Sequence, residues 1–64
     1  MKRYRLAGDS GYIDLNLASV VAVELCDYGS RLTLKPLGVV RVTEPYLNVL
    51  ADVASALRAR DDLS

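Results

Sequence analysis

Few side chains in this sequence could do chemistry, and the company each keeps decides what that chemistry would be. Cys26 is the single thiol. A reactive thiolate needs a base or a cation beside it, yet the chain has no histidine and the next residue is the acid Asp27. Cys26 therefore reads as a small inert side chain. It has no partner for an internal disulfide, which favours a reducing compartment. Glu44 could serve as a general acid or base, but no second carboxylate or histidine accompanies it, so it reads as a helix cap. Without histidine the usual zinc sets are out of reach. No catalytic residue, metal ligand or cofactor is assigned, and an enzyme is not expected.

Ala7-Gly8-Asp9-Ser10-Gly11 could be taken for a glycine loop that grips phosphate. It lacks the Lys-Ser/Thr ending of a P-loop and the glycine spacing of a dinucleotide fingerprint, and a strand rather than a helix follows. It reads as a turn.

The candidate ligand- or partner-binding residues are Lys2, Arg3, Tyr4, Arg5 and Tyr12. Three cations precede any acid, and two of the four aromatic residues lie close by. This combination could contact phosphate or an acidic partner, or stack bases. Repeated around an oligomer, it could also sequester a small anionic ligand such as a nucleotide signal. The plainer reading is that the charges defend a strand edge while each tyrosine packs its ring and wets its hydroxyl. Eight basic and eight acidic residues cancel. No global field gathers nucleic acid or an anionic membrane, and nucleic acid is not an expected partner.

Apolar periodicity shows which elements must position these residues. Lys2 to Leu6 alternates charge with Tyr4 and Leu6. Ile13, Leu15 and Leu17 alternate with Asp14 and Asn16, and Leu32 and Leu34 with Thr33 and Lys35. Val40 and Val42 flank Arg41. This is the period of strands with one buried face. Val21, Val23 and Leu25 form a further apolar face with Ala22 and Glu24 between them, and a bend or bulge is expected at Ala18-Ser19. Gly29 supplies a left-handed position in the loop Cys26 to Ser30, and Pro36-Leu37-Gly38 makes a tight corner. After Pro45 the period becomes helical. Tyr46, Leu50, Val53 and Leu57 form the expected buried stripe, with Leu47, Val49 and Ala54 flanking it and Asn48, Asp52 and Ser55 opposite. Arg58 and Arg60 suit the helix end, and Asp61-Asp62-Leu63-Ser64 is expected to fray. The chain thus reads as one α+β domain: a small antiparallel β-meander of four to five short strands packed against one C-terminal α-helix. The strands fall at about residues 2–6, 12–17, 20–25, 31–35 and 39–42 and the helix at about 45–60.

With the elements in place, the chain resembles the small FlbD-like family associated with flagella and swarming motility. Arg5-Leu6-Ala7-Gly8 resembles that family's opening strand and Leu-Asn-Gly turn. Asn16 and the strand ending near Glu24 resemble its central Asn-Pro-Asp segment. Thr33-Leu34 and Val39 to Glu44 resemble its second hairpin running into a Lys-Glu helix start. Leu17 stands where the family has proline, the loop from Gly8 to Asn16 is longer, and the glycine of the second hairpin is displaced to Gly38. The resemblance implies a small cytoplasmic regulatory or assembly module rather than a reaction. A LytTR-type DNA-binding domain has a similar rhythm of strands followed by a helix, though charge neutrality counts against it.

At 64 residues, 52% of them apolar, the chain can bury only about 60% of the surface its unfolded form exposes. A thin core with so much apolar content points to a homo-oligomer, a dimer or higher, with a protein partner. No run reaches the roughly 20 apolar residues of a membrane span, so no membrane partner is expected and the location reads as cytoplasmic.

Overall fold

The computed structural model describes residues 1–8 and 11–63, with side chains through Ala59. Five short strands and a 3₁₀ turn precede one long helix: β1 (Lys2–Arg5), β2 (Tyr12–Leu15), the 3₁₀ turn Leu17–Ser19, β3 (Val20–Leu25), β4 (Ser30–Leu34), β5 (Gly38–Val42) and α1 (Tyr46–Leu63). This is the α+β class expected, with the strands divided between two antiparallel sheets, β1-β2 and β3-β4-β5.

One bridge, Leu6 to Val42, sews the hairpin to the larger sheet. It is flanked by bonds from the Ala7 amide to the Arg41 carbonyl (3.0 Å) and from the Thr43 amide to the Arg5 carbonyl (2.9 Å). The strands therefore follow one another in space as β2-β1-β5-β4-β3, and residues opposite one another across each pair share a face.

The inner face carries the core. Tyr4, Leu15, Leu32, Leu34 and Val42 point inward, joined by Leu17 of the 3₁₀ turn and by Val49 and Val53 of α1. Ser30 is also fully buried, and its hydroxyl donates to the Glu44 carbonyl (2.8 Å), which fixes the approach to the helix beside the start of β4. Pro45 then leads into α1, where its missing donor is harmless. The Glu44 carboxylate accepts from the Asn48 side-chain amide at 2.9 Å. No helix among the described residues is long and apolar enough to cross a membrane.

Several local expectations are corrected. The bend expected at Ala18-Ser19 is present, as a 3₁₀ turn whose start is capped by Asn16, which accepts from the Ala18 amide (3.2 Å), whereas the bulge falls later, between Val20 and Ala22. On β3, Val21 and Leu25 lie largely in solvent instead of forming a covered apolar face, because Val21 is the bulged residue and β3 is an outer strand. The buried stripe of α1 is Val49 and Val53 with Ala56 and Tyr46 half-buried, while Leu50 and Leu57 turn outward. Asp52, expected on the solvent face, leans toward β1. The helix continues through Leu63, past the expected fraying point at Asp61, whereas Asp9 and Ser10 of the expected turn and Ser64 lie outside the described residues.

Candidate functional site

Strand alternation divides the N-terminal cluster between two faces. Lys2 and Tyr4 point toward the helix. Tyr4 is buried, and its hydroxyl donates to the Asp52 carboxylate at 2.7 Å. Lys2 lies 3.9 Å from the same carboxylate and lines an open cleft of about 330 Å³ with Asn16, Asp52 and Ser55. The expectation of a shared stacking surface on Tyr4 and Tyr12 is therefore corrected, since Tyr4 is a core residue and only Tyr12 is presented to solvent.

Arg3, Arg5 and Tyr12 do come together, on the outer face. Arg3 stands opposite Asp14 and Arg5 opposite Tyr12 in the β1-β2 register. The Arg3 guanidinium donates to both Asp14 oxygens, at 3.0 and 3.4 Å, and this bond holds the Asp14 carboxyl below its ordinary range. Through the Leu6–Val42 bridge the same face continues onto β5 and β4, where Arg41 stands directly opposite Arg31. Arg31 in turn faces Glu24 on β3 and donates to its carboxylate.

The outer face thus holds four of the six arginines in the chain, each exposed. Among the described residues its two acids sit at the margins, Asp14 on Arg3 and Glu24 on Arg31. Arg5 and Arg41 between them have no ion pair among the described residues. Both lysines lie elsewhere, Lys2 toward the helix and Lys35 beyond the end of β4.

A second surface lies on the helix. Leu47, Leu50, Ala54 and Leu57 are all exposed, Leu47 to 75%, and they recur at intervals of three, four and three. That spacing places them on one stripe of a helix. It lies beside the stripe that α1 turns toward the core.

Arg31 and Arg41 are the site residues that strand-by-strand reading passes over. Their signal was present, since Arg41 lies between the inward-pointing Val40 and Val42 and Arg31 between Ser30 and Leu32, but only the β1–β5 bridge brings them beside Arg5. No family model, curated protein or solved structure matches the chain.

Proposed function

We propose that the protein is a non-enzymatic interaction module that self-associates and acts by binding another macromolecule, a reading in keeping with the small regulatory or assembly module that its FlbD-like resemblance implies. The observation that carries this reading is the exposed stripe Leu47, Leu50, Ala54 and Leu57. Its three-four-three spacing is the a/d repeat of packed helices, in which each apolar side chain enters a hole on a facing helix. Ala54 in the middle lets a neighbour approach closely. A helix of 18 residues is about 27 Å long, enough for two such repeats. A second copy is the natural occupant, because the same stripe on both partners is self-complementary about a two-fold axis.

Light scattering at micromolar concentration tests this. The expected result is a dimer or higher assembly that L47K/L57K converts to a monomer with an unchanged circular dichroism spectrum. A strictly monomeric wild-type protein, or an assembly indifferent to L47K/L57K, overturns self-association through the helix.

A further inference from the structure

We propose that the outer face of the sheet binds the phosphate backbone of single-stranded nucleic acid, with Arg5 and Arg41 as the central contacts, Arg3 and Arg31 beside them, and Tyr12 as a stacking surface. The inference uses the sheet alone and stands apart from helix pairing, so scattering and nucleic-acid binding can fail separately.

Register supplies the first argument. Arg5 neighbours Thr43 across the bridge, Arg41 lies two residues along β5 on the same face, and Arg41 is paired with Arg31. Adjacent strands are about 4.8 Å apart, so arginines on β1, β5 and β4 form a line that crosses three strands. Like charges directly opposite each other destabilise a sheet. Arg31 and Arg41 are such a pair, and Glu24 answers only one of them. An anion lying across the face would relieve that repulsion.

Side-chain type supplies the second. The guanidinium presents a planar fork that meets two phosphate oxygens at once, which the ammonium of lysine does not. The sorting of arginine onto this face and lysine away from it follows that distinction. Net neutrality does not oppose it, because at physiological salt charges further apart than about 8 Å are largely screened and the local set decides.

Shape decides the kind of anion. Neither the cleft beside Lys2, Asp52 and Ser55 nor the one beside Leu15, Leu34 and Pro36 is lined by any of these arginines. An open face suits an extended polyanion better than an enclosed small ligand. The helix α1 lies on the other side of the sheet, so this face offers no helix to the major groove of a duplex. A splayed single strand can lay its bases on an exposed ring, and Tyr12, 64% exposed and directly opposite Arg5, offers one.

The test is fluorescence anisotropy with a labelled oligothymidylate of about 15 nucleotides, within the range such surfaces cover. Single-strand binding weakens with a log–log slope of about −0.7 per phosphate neutralised, so a fourfold rise in salt should weaken it about 7-fold for two contacts and about 50-fold for four. R5Q/R41Q should lose about tenfold or more at low salt and flatten the slope by about 1.4. Y12A should lose about fivefold, and R58Q, on the helix, nothing. R5K/R41K keeps the charge and the fold and should still lose affinity, because the fork is gone. Absence of salt-sensitive binding, or indifference to R5Q/R41Q in protein with an unchanged circular dichroism spectrum, overturns the proposal. Equal affinity for duplex overturns the single-strand assignment, and binding of polyglutamate but not oligothymidylate reassigns the face to an acidic protein.

Discussion

The hydroxyl of Tyr4 and the carboxylate of Asp52 meet at 2.7 Å across 48 positions of chain, and this bond ties the first strand to the middle of the terminal helix. The Tyr4 ring is 2% exposed and the Asp52 side chain 30%. Asp52 needs a donor where it leans over β1, and the Tyr4 hydroxyl would otherwise be buried without a partner. Each satisfies the other, and together they choose which side of the helix faces the sheet.

Removing that hydroxyl while keeping the ring should therefore loosen the helix from the sheet. Hydrogen bonds to charged groups are worth about 1.5–3 kcal/mol, and partial solvent access to Asp52 places Y4F at about 1–2 kcal/mol. For a domain this small the Tm should fall by roughly 5–15 °C. D52N should cost less than D52A because its amide oxygen can still accept, and Y4F/D52A should cost less than the sum of the two single losses. Strict additivity in that double-mutant cycle would mean that the two groups are not coupled.

The same contact gives a signature in alkali. Burial, reinforced by Asp52, pushes the Tyr4 phenol well above its ordinary value of 10. Folding thus favours the protonated form. That contribution is fully present below pH 10 and is lost as pH rises toward the elevated folded value. Ultraviolet titration of the phenolates should show one tyrosine's share of the change arriving late, together with a fall in stability. In Y4F the late step should vanish.

Gly29 and Gly8 both have positive φ, +82° and +75°, yet they are not equivalent. A methyl group at Gly29 would run into the Val42 carbonyl and the Thr43 backbone, where the β3-β4 loop presses on the end of β5, while at Gly8 it would meet open space. G8A should cost about 1 kcal/mol, from left-handed backbone strain alone. G29A should cost about 3 kcal/mol or more, since backbone must move as well. Urea midpoints distinguish the two, and equal losses would mean that the close approach at Gly29 is not a constraint.

Strand positions were legible because β1, β2, β4 and β5 each turn one face into the core. Leu32 and Leu34 alternate with Arg31 and Thr33, and the burial of β4 follows that alternation. The helix was less legible. Its apolar residues Tyr46, Leu47, Val49, Leu50, Val53, Ala54 and Leu57 spread over an arc of about 160° at 3.6 residues per turn, so a helical period fits more than one stripe within it. What selects Val49 and Val53 is tertiary: the Tyr4–Asp52 bond and the 3₁₀ turn beneath the helix, the latter following from the Asn16 cap. The arginine face was half legible for a related reason. Arg3 and Arg5 are neighbours in sequence, but their neighbours in space depend on a single bridge at Leu6 that no local pattern announces.

The two stripes of the helix should separate in mutagenesis. Val49 is fully buried, so V49A removes two carbons from a packed site and should cost about 2–3 kcal/mol in chemical denaturation. Leu47 is largely in solvent, and L47A should stay within about 0.5 kcal/mol in dilute protein. The reverse order would put the core on the other side of α1.

Glu24 lies at the end of a row in which Arg41 opposes Arg31 and Arg31 opposes Glu24. Its carboxylate raises the basicity of Arg31, by the hydrogen bond first and by charge second. Among the described residues E24Q removes the one anion that answers the arginine pair, so the repulsion between β4 and β5 is left unopposed at the outer strand. All three side chains are exposed, which makes the effect small and strongly dependent on ionic strength. E24Q should melt below wild type at low salt, and the gap should close as salt is raised. E24Q/R41Q, which removes the opposing charge as well, should recover most of the loss without added salt. A deficit that persists in high salt, or a double variant no better than E24Q, would mean that Glu24 acts through packing and that the arginines on this face do not repel one another.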